Sequence, residues 1–280
     1  MGPFPREIQE YYLRSQETGR LSSPQGELER LRTQAILARH LPAPPAIVFD
    51  IGGAAGVHAF PLAKSGYQVN LIDPMELHLE QARAHATASG LTLASIAPGD
   101  ARKLDVPSGI ADAVLLLGPL YHLTDTLNRL QALREARRIL KPRGVLFAAA
   151  ISRFASLIDG LSSGFFEDAE FREIVADDLA SGQHRNPTSN YLYFTTAYFH
   201  RPEELAFEVQ EAGFEQTRVL AIEGPVWSAA RFREAWSDPA QQKRLMEFLS
   251  LVETEQSIVG ASAHLMAVAA CPGPQTLHST

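Results

Sequence analysis

In residues 46–74, AIVFDIGGAAGVHAFPLAKSGYQVNLIDP, a run of small residues stands between two aspartates, Asp50 and Asp73. These types at this spacing can hold a nucleoside. A ligand seated at the end of a strand needs close backbone approach. Gly52, Gly53, Ala54, Ala55 and Gly56 carry little or no side chain to obstruct it. An acid closing the next strand reaches ribose hydroxyls, and Asp73 lies 73 − 50 = 23 residues beyond Asp50. That is close to the offset of about 20 at which such carboxylates work. A helix after the turn points its N–H groups at the same ligand. The plainer alternatives are tight packing for the turn and a helix cap for the acid. The dinucleotide spacing G-x-G-x-x-G is not met, because its second and third glycine positions hold Ala54 and Val57.

The elements that must position these residues follow from hydrophobic pattern. AIVFDI, YQVNLID, LTLASIAPGD, ADAVLLLGPL and VLFAAAI read as strands, the first and fourth apolar enough to be covered on both faces. GVHAFPLAKSG, MELHLEQARAHATASG and DTLNRLQALREARRIL read as helices between them, the second closed by Gly90 and the third capped by Thr124 or Asp125. Such alternation predicts an α/β fold, a mostly parallel, doubly wound sheet. Residues 5–40 read as helical, and LPAPPA at 41–46 breaks them off. Residues 152–200 interrupt the rhythm with many aromatics, from Phe154 to Phe199. The alternation then resumes with RPEELAFEVQEAGF as a helix, EQTRVLAIEG as a strand, a mostly helical 228–257, and SAHLMAVAA as a last strand. The expected organisation is an N-terminal helical lid over 1–45, a nucleoside-binding domain over 46–151 and 201–272, and a substrate cap inserted at 152–200.

Four motifs in order carry a resemblance. VFDIGGAAG resembles the acid-x-Gly-x-Gly-x-Gly turn of class I S-adenosylmethionine-dependent methyltransferases, with Ala54 in place of the middle glycine. LIDP resembles the family's ribose-binding segment, PGDARKL its adenine-contacting segment, and ADAVLLLGPLYHL with EARRILKPRGVLFAAA its fourth strand, helix and fifth strand. The block GPLYHL is similar to a small-molecule subgroup. The resemblance implies a Rossmann-like, seven-stranded sheet whose last strand is antiparallel, with S-adenosylmethionine as cofactor. It implies a donor site of Asp50, Gly52, Gly53, Ala54, Gly56, Asp73, Pro74, Met75, Asp100, Ala101 and Leu117. Asp50 would serve the turn or the methionine ammonium, Asp73 the ribose, Asp100 the adenine amino group and Met75 the adenine face. A sulfonium favours aromatic faces, so Tyr11, Tyr12 and Tyr121 are candidates, with Tyr12 on a lid helix; packing of that helix is the alternative for Tyr11 and Tyr12. His122 and Tyr121 are the expected catalytic pair, with His122 as a base if the acceptor must lose a proton. The acceptor is expected against Phe154, His184, Tyr198, His200 and Trp227, with Arg32, Arg153 and Arg185 available for a carboxylate.

Composition bounds the partners. The net charge of −7 and the lack of a Lys/Arg run argue against a nucleic-acid or anionic-membrane partner. The expected partner is a small-molecule methyl acceptor, aromatic or apolar, methylated on O, N, S or, less favoured, C. Neither nucleic acid nor membrane is expected, and the residues leave the oligomeric state open. The single cysteine, Cys271, excludes an internal disulfide and a thiolate zinc site. Asp112, Asp125 and Asp159 lack ligand spacing, so no metal is expected. No apolar leader or span is evident, and a cytoplasmic location is expected. Two alternatives stay open: an NAD(P)-dependent oxidoreductase and a non-catalytic nucleoside-binding module.

Overall fold

The computed structural model describes residues 5–14, 23–229 and 231–273, apart from the side chain of Trp227. Its strands are β1 (Ile47–Ile51), β2 (Gln68–Asp73), β3 (Ser95–Pro98), β4 (Ala111–Leu116), β5 (Leu140–Ser152), β6 (Gln183–His184), β7 (Ala197–His200), β8 (Glu215–Ala221) and β9 (His264–Ala270). The main sheet runs β3-β2-β1-β4-β5-β9-β8, parallel except for β9, which lies antiparallel between β5 and β8. The expected seven strands and their antiparallel last member are therefore present. The small β6–β7 hairpin is added at the far end of β5, where Ile151 pairs with Phe199 and Ser152 with His200.

The alternation of side chains along each strand divides the core into two layers. Val48, Ala113, Leu115 and Phe147 face Ile36 and Leu37 of the Pro24–His40 helix and Leu79 and Ala82 of the Glu76–Ser89 helix. Phe49, Ile51, Val114 and Leu116 face the other way, toward Leu133, Ala136 and Ile139 of the Thr126–Ile139 helix and Leu205 and Val209 of the Pro202–Glu211 helix. Ser23 caps the Pro24–His40 helix by accepting from the Gly26 N–H at 3.1 Å. Of the two expected caps at the Thr126–Ile139 helix, Asp125 is the one used, accepting from the Asn128 N–H at 3.2 Å. The helix after the glycine turn is shorter than expected: it spans Ala59–Lys64, behind turns at 54–58. Among the described residues, no helix is long and apolar enough to cross a membrane.

The insertion carries helices Ala155–Ser163 and Ala169–Ser181. Phe171, Ile174, Val175 and Tyr193 form a satellite core there, with Phe165 and Phe166 packed against it. A buried ion pair joins the Thr126–Ile139 and Pro202–Glu211 helices, with Tyr198 of β7 stacked on it. Arg129 donates from Nε and Nη2 to Glu208, with Nη2 at 2.7 Å from Oε1. Its Nη1 donates to the carbonyls of Leu123 and Thr124. The ring of Tyr198 lies over the guanidinium, 3.8 Å from Cζ to the centroid. Both ends of the pair are buried. Removing one partner strands a desolvated charge, so Glu208→Ala should lower unfolding stability by about 3–5 kcal/mol, read from urea denaturation.

Candidate active site

A cavity of about 410 Å³ opens at the carboxyl edge of β1, β2 and β4. Its floor is the turn after β1. Gly52 takes φ +72°, and a Cβ there would meet the Pro119 ring at 2.7 Å. A Cβ on Gly53 would meet the Asp50 carboxylate at 2.7 Å. Small residues are thus required by the protein's own packing before any ligand is considered. Ala54 adopts φ 47°. That left-handed conformation costs an alanine about 1–2 kcal/mol relative to the glycine the turn would favour.

Two carboxylates bracket this turn. Asp73 Oδ2 accepts from the Ala54 N–H at 3.0 Å, while its Oδ1 accepts from the Met75 N–H at 2.9 Å and faces His78 Nδ1 at 3.0 Å. Asp50 is buried, and its Oδ2 has no hydrogen-bond partner. Burial, reinforced by the negative charge of Asp73, pushes the Asp50 carboxyl up to about 7. An orphaned carboxyl beside an exposed glycine backbone fits a cationic ligand group, and the cavity fits the nucleoside part of the expected donor. Pro74, Met75, Gly99, Asp100, Ala101 and Leu117 line it. Asp100 is held by Arg102, whose Nε donates at 3.0 Å and whose backbone N–H donates at 2.9 Å. Burial opposes ionisation there, yet these hydrogen bonds keep the carboxyl below its usual range.

A second cavity of about 1010 Å³ adjoins the first, and Tyr12, Glu29, His58, Leu117 and Tyr121 line both. Its walls come from the end of β5, from the insertion through Ser156, Phe171, Tyr193, Phe194 and Phe199, and from the loops around β8 and β9. Four expected acceptor residues are not on it, and the structure corrects them. Phe154 lies under Arg201, its ring centroid 5.7 Å from Cζ, and beside Gly260. Tyr198 is taken up by Arg129. His184 is 1% exposed, with Nδ1 2.8 Å from Asp178 and Nε2 2.9 Å from the Tyr193 carbonyl. His200 is 0% exposed, with Nε2 3.3 Å from Glu208. All four are engaged by charged side chains of the protein itself: Arg201, Arg129, Asp178 and Glu208. The side chain of Trp227 lies outside the described residues.

The three expected arginines are also committed. Arg32 is buried, donating to the Ile222 carbonyl at 2.9 Å and to Glu253 at 2.6 Å. Arg153 donates to Glu204 and to the Phe199 carbonyl. Arg185 donates to the His184 carbonyl and to Gln183.

His122 lines the smaller cavity but not the larger one. Its Nδ1 lies 3.4 Å from the Thr196 carbonyl, which can only accept, so Nδ1 carries the ring proton. Nε2 then accepts from the Tyr12 hydroxyl at 2.7 Å. Burial drives its pKa down to about 4, against weaker support from the Thr196 carbonyl and Asp73. A neutral imidazole whose lone pair is occupied by Tyr12 ties the helix Arg6–Arg14 to the sheet's edge, an arrangement in which His122 acts as a hydrogen-bond acceptor. Tyr121 and Tyr12 stand at the junction of the cavities. Tyr11 packs edge-on to Phe194, with centroids 5.2 Å apart. The sequence reading missed Glu29, His58, Glu223 and His264, which line the acceptor cavity. Glu223 carried a usable signal, since it is the penultimate residue of the expected strand EQTRVLAIEG and so falls near the sheet's functional edge.

Two desolvated imidazoles, that of buried His122 and that of half-buried His58, give a pH signature. His58 is also driven down to about 4, chiefly by burial. In the unfolded chain both rings take up a proton near 6.5, while folded they stay neutral to about 4. The unfolded state therefore binds more protons between those values, and stability falls as pH drops through that window. Each ring contributes on the order of 3 kcal/mol over the span. Urea titrations of wild type and His122→Asn between pH 4 and 7 should show a shallower slope in the variant.

Comparison with known proteins agrees with this geometry. The family model described as "Methyltransferase domain" matches residues 49–148. The chain is 28% identical over 227 residues to a Caulobacter ubiquinone/menaquinone biosynthesis C-methyltransferase, UbiE, covering 76% of this chain and 83% of that protein. It is 31% identical over 196 residues to a Methylobacterium ubiquinone biosynthesis O-methyltransferase, covering 65% of this chain and 66% of that one. In fold it is similar to a solved Thermotoga maritima S-adenosylmethionine-dependent methyltransferase described as a possible histamine N-methyltransferase. The TM-score is 0.56 at 19% identity, over 94% of this chain and 97% of that one. A glycine turn braced by two carboxylates at the edge of this sheet, with these matches along it, makes the chain a class I methyltransferase that takes its methyl group from S-adenosylmethionine.

Proposed function

We propose that the chain methylates a small, partly apolar metabolite, on oxygen or on carbon, within the larger cavity. The observation that carries this reading is the shared wall: Tyr12, Glu29, His58, Leu117 and Tyr121 border both chambers, so donor and acceptor can meet only there. The likeness to C- and O-methyltransferases favours those two atoms. When bound, the donor supplies an electrophilic methyl on a sulfonium with a good leaving group. The protein's work is then alignment and the exclusion of water, where alignment alone is worth several kcal/mol of barrier, about 7 or more in the best cases.

The residues divide that work. Asp50 receives the methionine ammonium, the backbone of 52–56 lines the methionine chain, Asp73 meets the ribose, and Asp100 with Ala101 meets the adenine, which Met75 covers. Tyr12, latched by His122, closes the junction from above. Residues 152–200 shape the acceptor chamber through Ser156, Tyr193 and Phe194 rather than through the histidines first expected. We also propose a cytoplasmic location, supported by the use of a single cysteine.

Thermal melts with S-adenosylhomocysteine and, separately, NADH test the donor chamber. Saturating S-adenosylhomocysteine should raise Tm by several degrees and NADH should leave it unchanged. A second outcome concerns protons. With its carboxyl near 7, Asp50 is mostly protonated at pH 6 in the free protein. A ligand ammonium beside it favours the carboxylate, so binding releases a proton. S-adenosylhomocysteine should therefore bind more tightly as pH rises through 6 to 7, by up to about tenfold per unit. Calorimetry in buffers of different ionisation enthalpy counts the proton, and Asp50→Asn should remove the dependence.

A further inference from the structure

The first helix of the insertion, Ala155–Ser163, brings Ser156 to the wall of the larger cavity. Ser156 is only 7% exposed, and its hydroxyl donates to Asp178 Oδ2 at 2.5 Å. The same oxygen of buried Asp178 meets His184 Nδ1 at 2.8 Å. His184 Nε2 faces the Tyr193 carbonyl, which can only accept, so Nε2 carries a proton. A proton shared by Nδ1 and Oδ2 lies along their common line, whichever atom holds it. Oδ2 is an acceptor toward Ser156 in either case, and the serine proton is committed to it. Among the described residues, no group donates in return to the Ser156 oxygen. The cavity therefore sees this serine as a lone pair. Behind it stands a carboxylate whose other oxygen, Oδ1, has no partner.

The surroundings choose the charge of a matching guest. Asp159 lies three residues on, on the same face of the helix, exposed and lining the same cavity. The Ser163 hydroxyl donates to its Oδ1 at 2.9 Å. Tyr193 and Phe194 also line this wall, and aromatic rings favour a cation nearby. The arginines that line the cavity, Arg231 and Arg233, are solvent-exposed, and Arg231 is paired with Glu234. Among the described residues, no buried arginine lines the wall to meet a carboxylate. Ser156 and Asp159 border the larger cavity and not the smaller one, so a group they hold lies away from the junction.

We infer that Ser156 and Asp159 form the recognition site for a protonated amine, carried by the acceptor at a distance from its methylated atom. This rests on the methyl-transfer reading above and narrows the acceptor to an amine with an apolar body. The ammonium donates one N–H to the lone pair of Ser156 and is balanced by the Asp159 carboxylate. Ser156 is the specificity-determining residue, because a hydroxyl whose proton is already given to Asp178 accepts from a guest and cannot donate to one.

Four phenols of similar shape serve as probes. Tyramine carries an ammonium, tyrosol a hydroxyl, 4-hydroxyphenylacetate a carboxylate, and 4-ethylphenol none of these. Calorimetry reads their binding to the protein saturated with S-adenosylhomocysteine. Tyramine should bind about tenfold or more tighter than 4-ethylphenol, with tyrosol between them and the carboxylate weakest. Ser156→Ala should remove most of tyramine's advantage over 4-ethylphenol. Asp159→Asn changes an exposed side chain, so the fold survives it. It should weaken tyramine about two- to fivefold and leave tyrosol as it was. Equal wild-type affinities for tyramine and 4-ethylphenol overturn the inference. A loss in Ser156→Ala shared equally by both guests also overturns it, since that marks a serine that serves the fold alone. So does a wild type that binds S-adenosylhomocysteine and none of the four phenols. Failure of wild type to bind S-adenosylhomocysteine at all would instead strike the methyl-transfer reading beneath it.

Discussion

One carboxylate, that of Asp73, holds the functional edge together. It closes β2, accepts the Ala54 N–H of the neighbouring turn, accepts its own Met75 N–H, and meets His78. Through it the turn after β1 cannot move independently of β2. It also adds to the effect of burial on Asp50, whose carboxyl is raised first by desolvation and then by the negative charge of Asp73. The strained φ of Ala54 is tolerated because that residue's N–H is fixed from outside the turn. Small side chains, a buried acid and a ligand-ready backbone are therefore consequences of one cross-link between adjacent strands.

Much of this was legible in the sequence because it is local. Strand period, glycine positions and the offset from Asp50 to Asp73 all lie within about thirty residues, where spacing translates directly into geometry. The antiparallel β9 was expected only through family resemblance, since an apolar run such as SAHLMAVAA does not state its own direction. The insertion was the least legible part. His184, His200 and Tyr198 had the right chemistry for an acceptor pocket. Whether such a side chain meets a guest or a buried Asp178, Glu208 or Arg129 is decided by packing between elements, not by spacing along one. Glu223 and His264 lie 41 residues apart, and no periodicity links them.

The two chambers differ in how they are built. The donor side is backbone turns and acids near strand ends, with positions that any sequence of this pattern must reproduce. The acceptor side gathers side chains from the N-terminal helix, the insertion and the β8–β9 region. Shape there depends on how these three separate segments pack, which can vary without disturbing the turn after β1. Aromatic residues of the insertion serve both purposes, since Phe171 and Tyr193 belong to its satellite core while also facing the chamber.

The Pro24–His40 helix belongs to the chain's beginning yet is fastened to its end. Arg32 binds the Ile222 carbonyl across 190 residues and Glu253 across 221, and Arg39 adds a second contact to Glu253 at 2.8 Å. Contacts of such separation form late, because long loops must close before they can exist. During synthesis this helix can pack Ile36 and Leu37 against Val48 and Leu79 soon after they emerge, but its ties to Ile222 and Glu253 wait until nearly the whole polypeptide has followed. The half of the sheet around β1 and β2 can assemble early, whereas the larger cavity, walled in part by residues around β8 and β9, is completed only near translation's end.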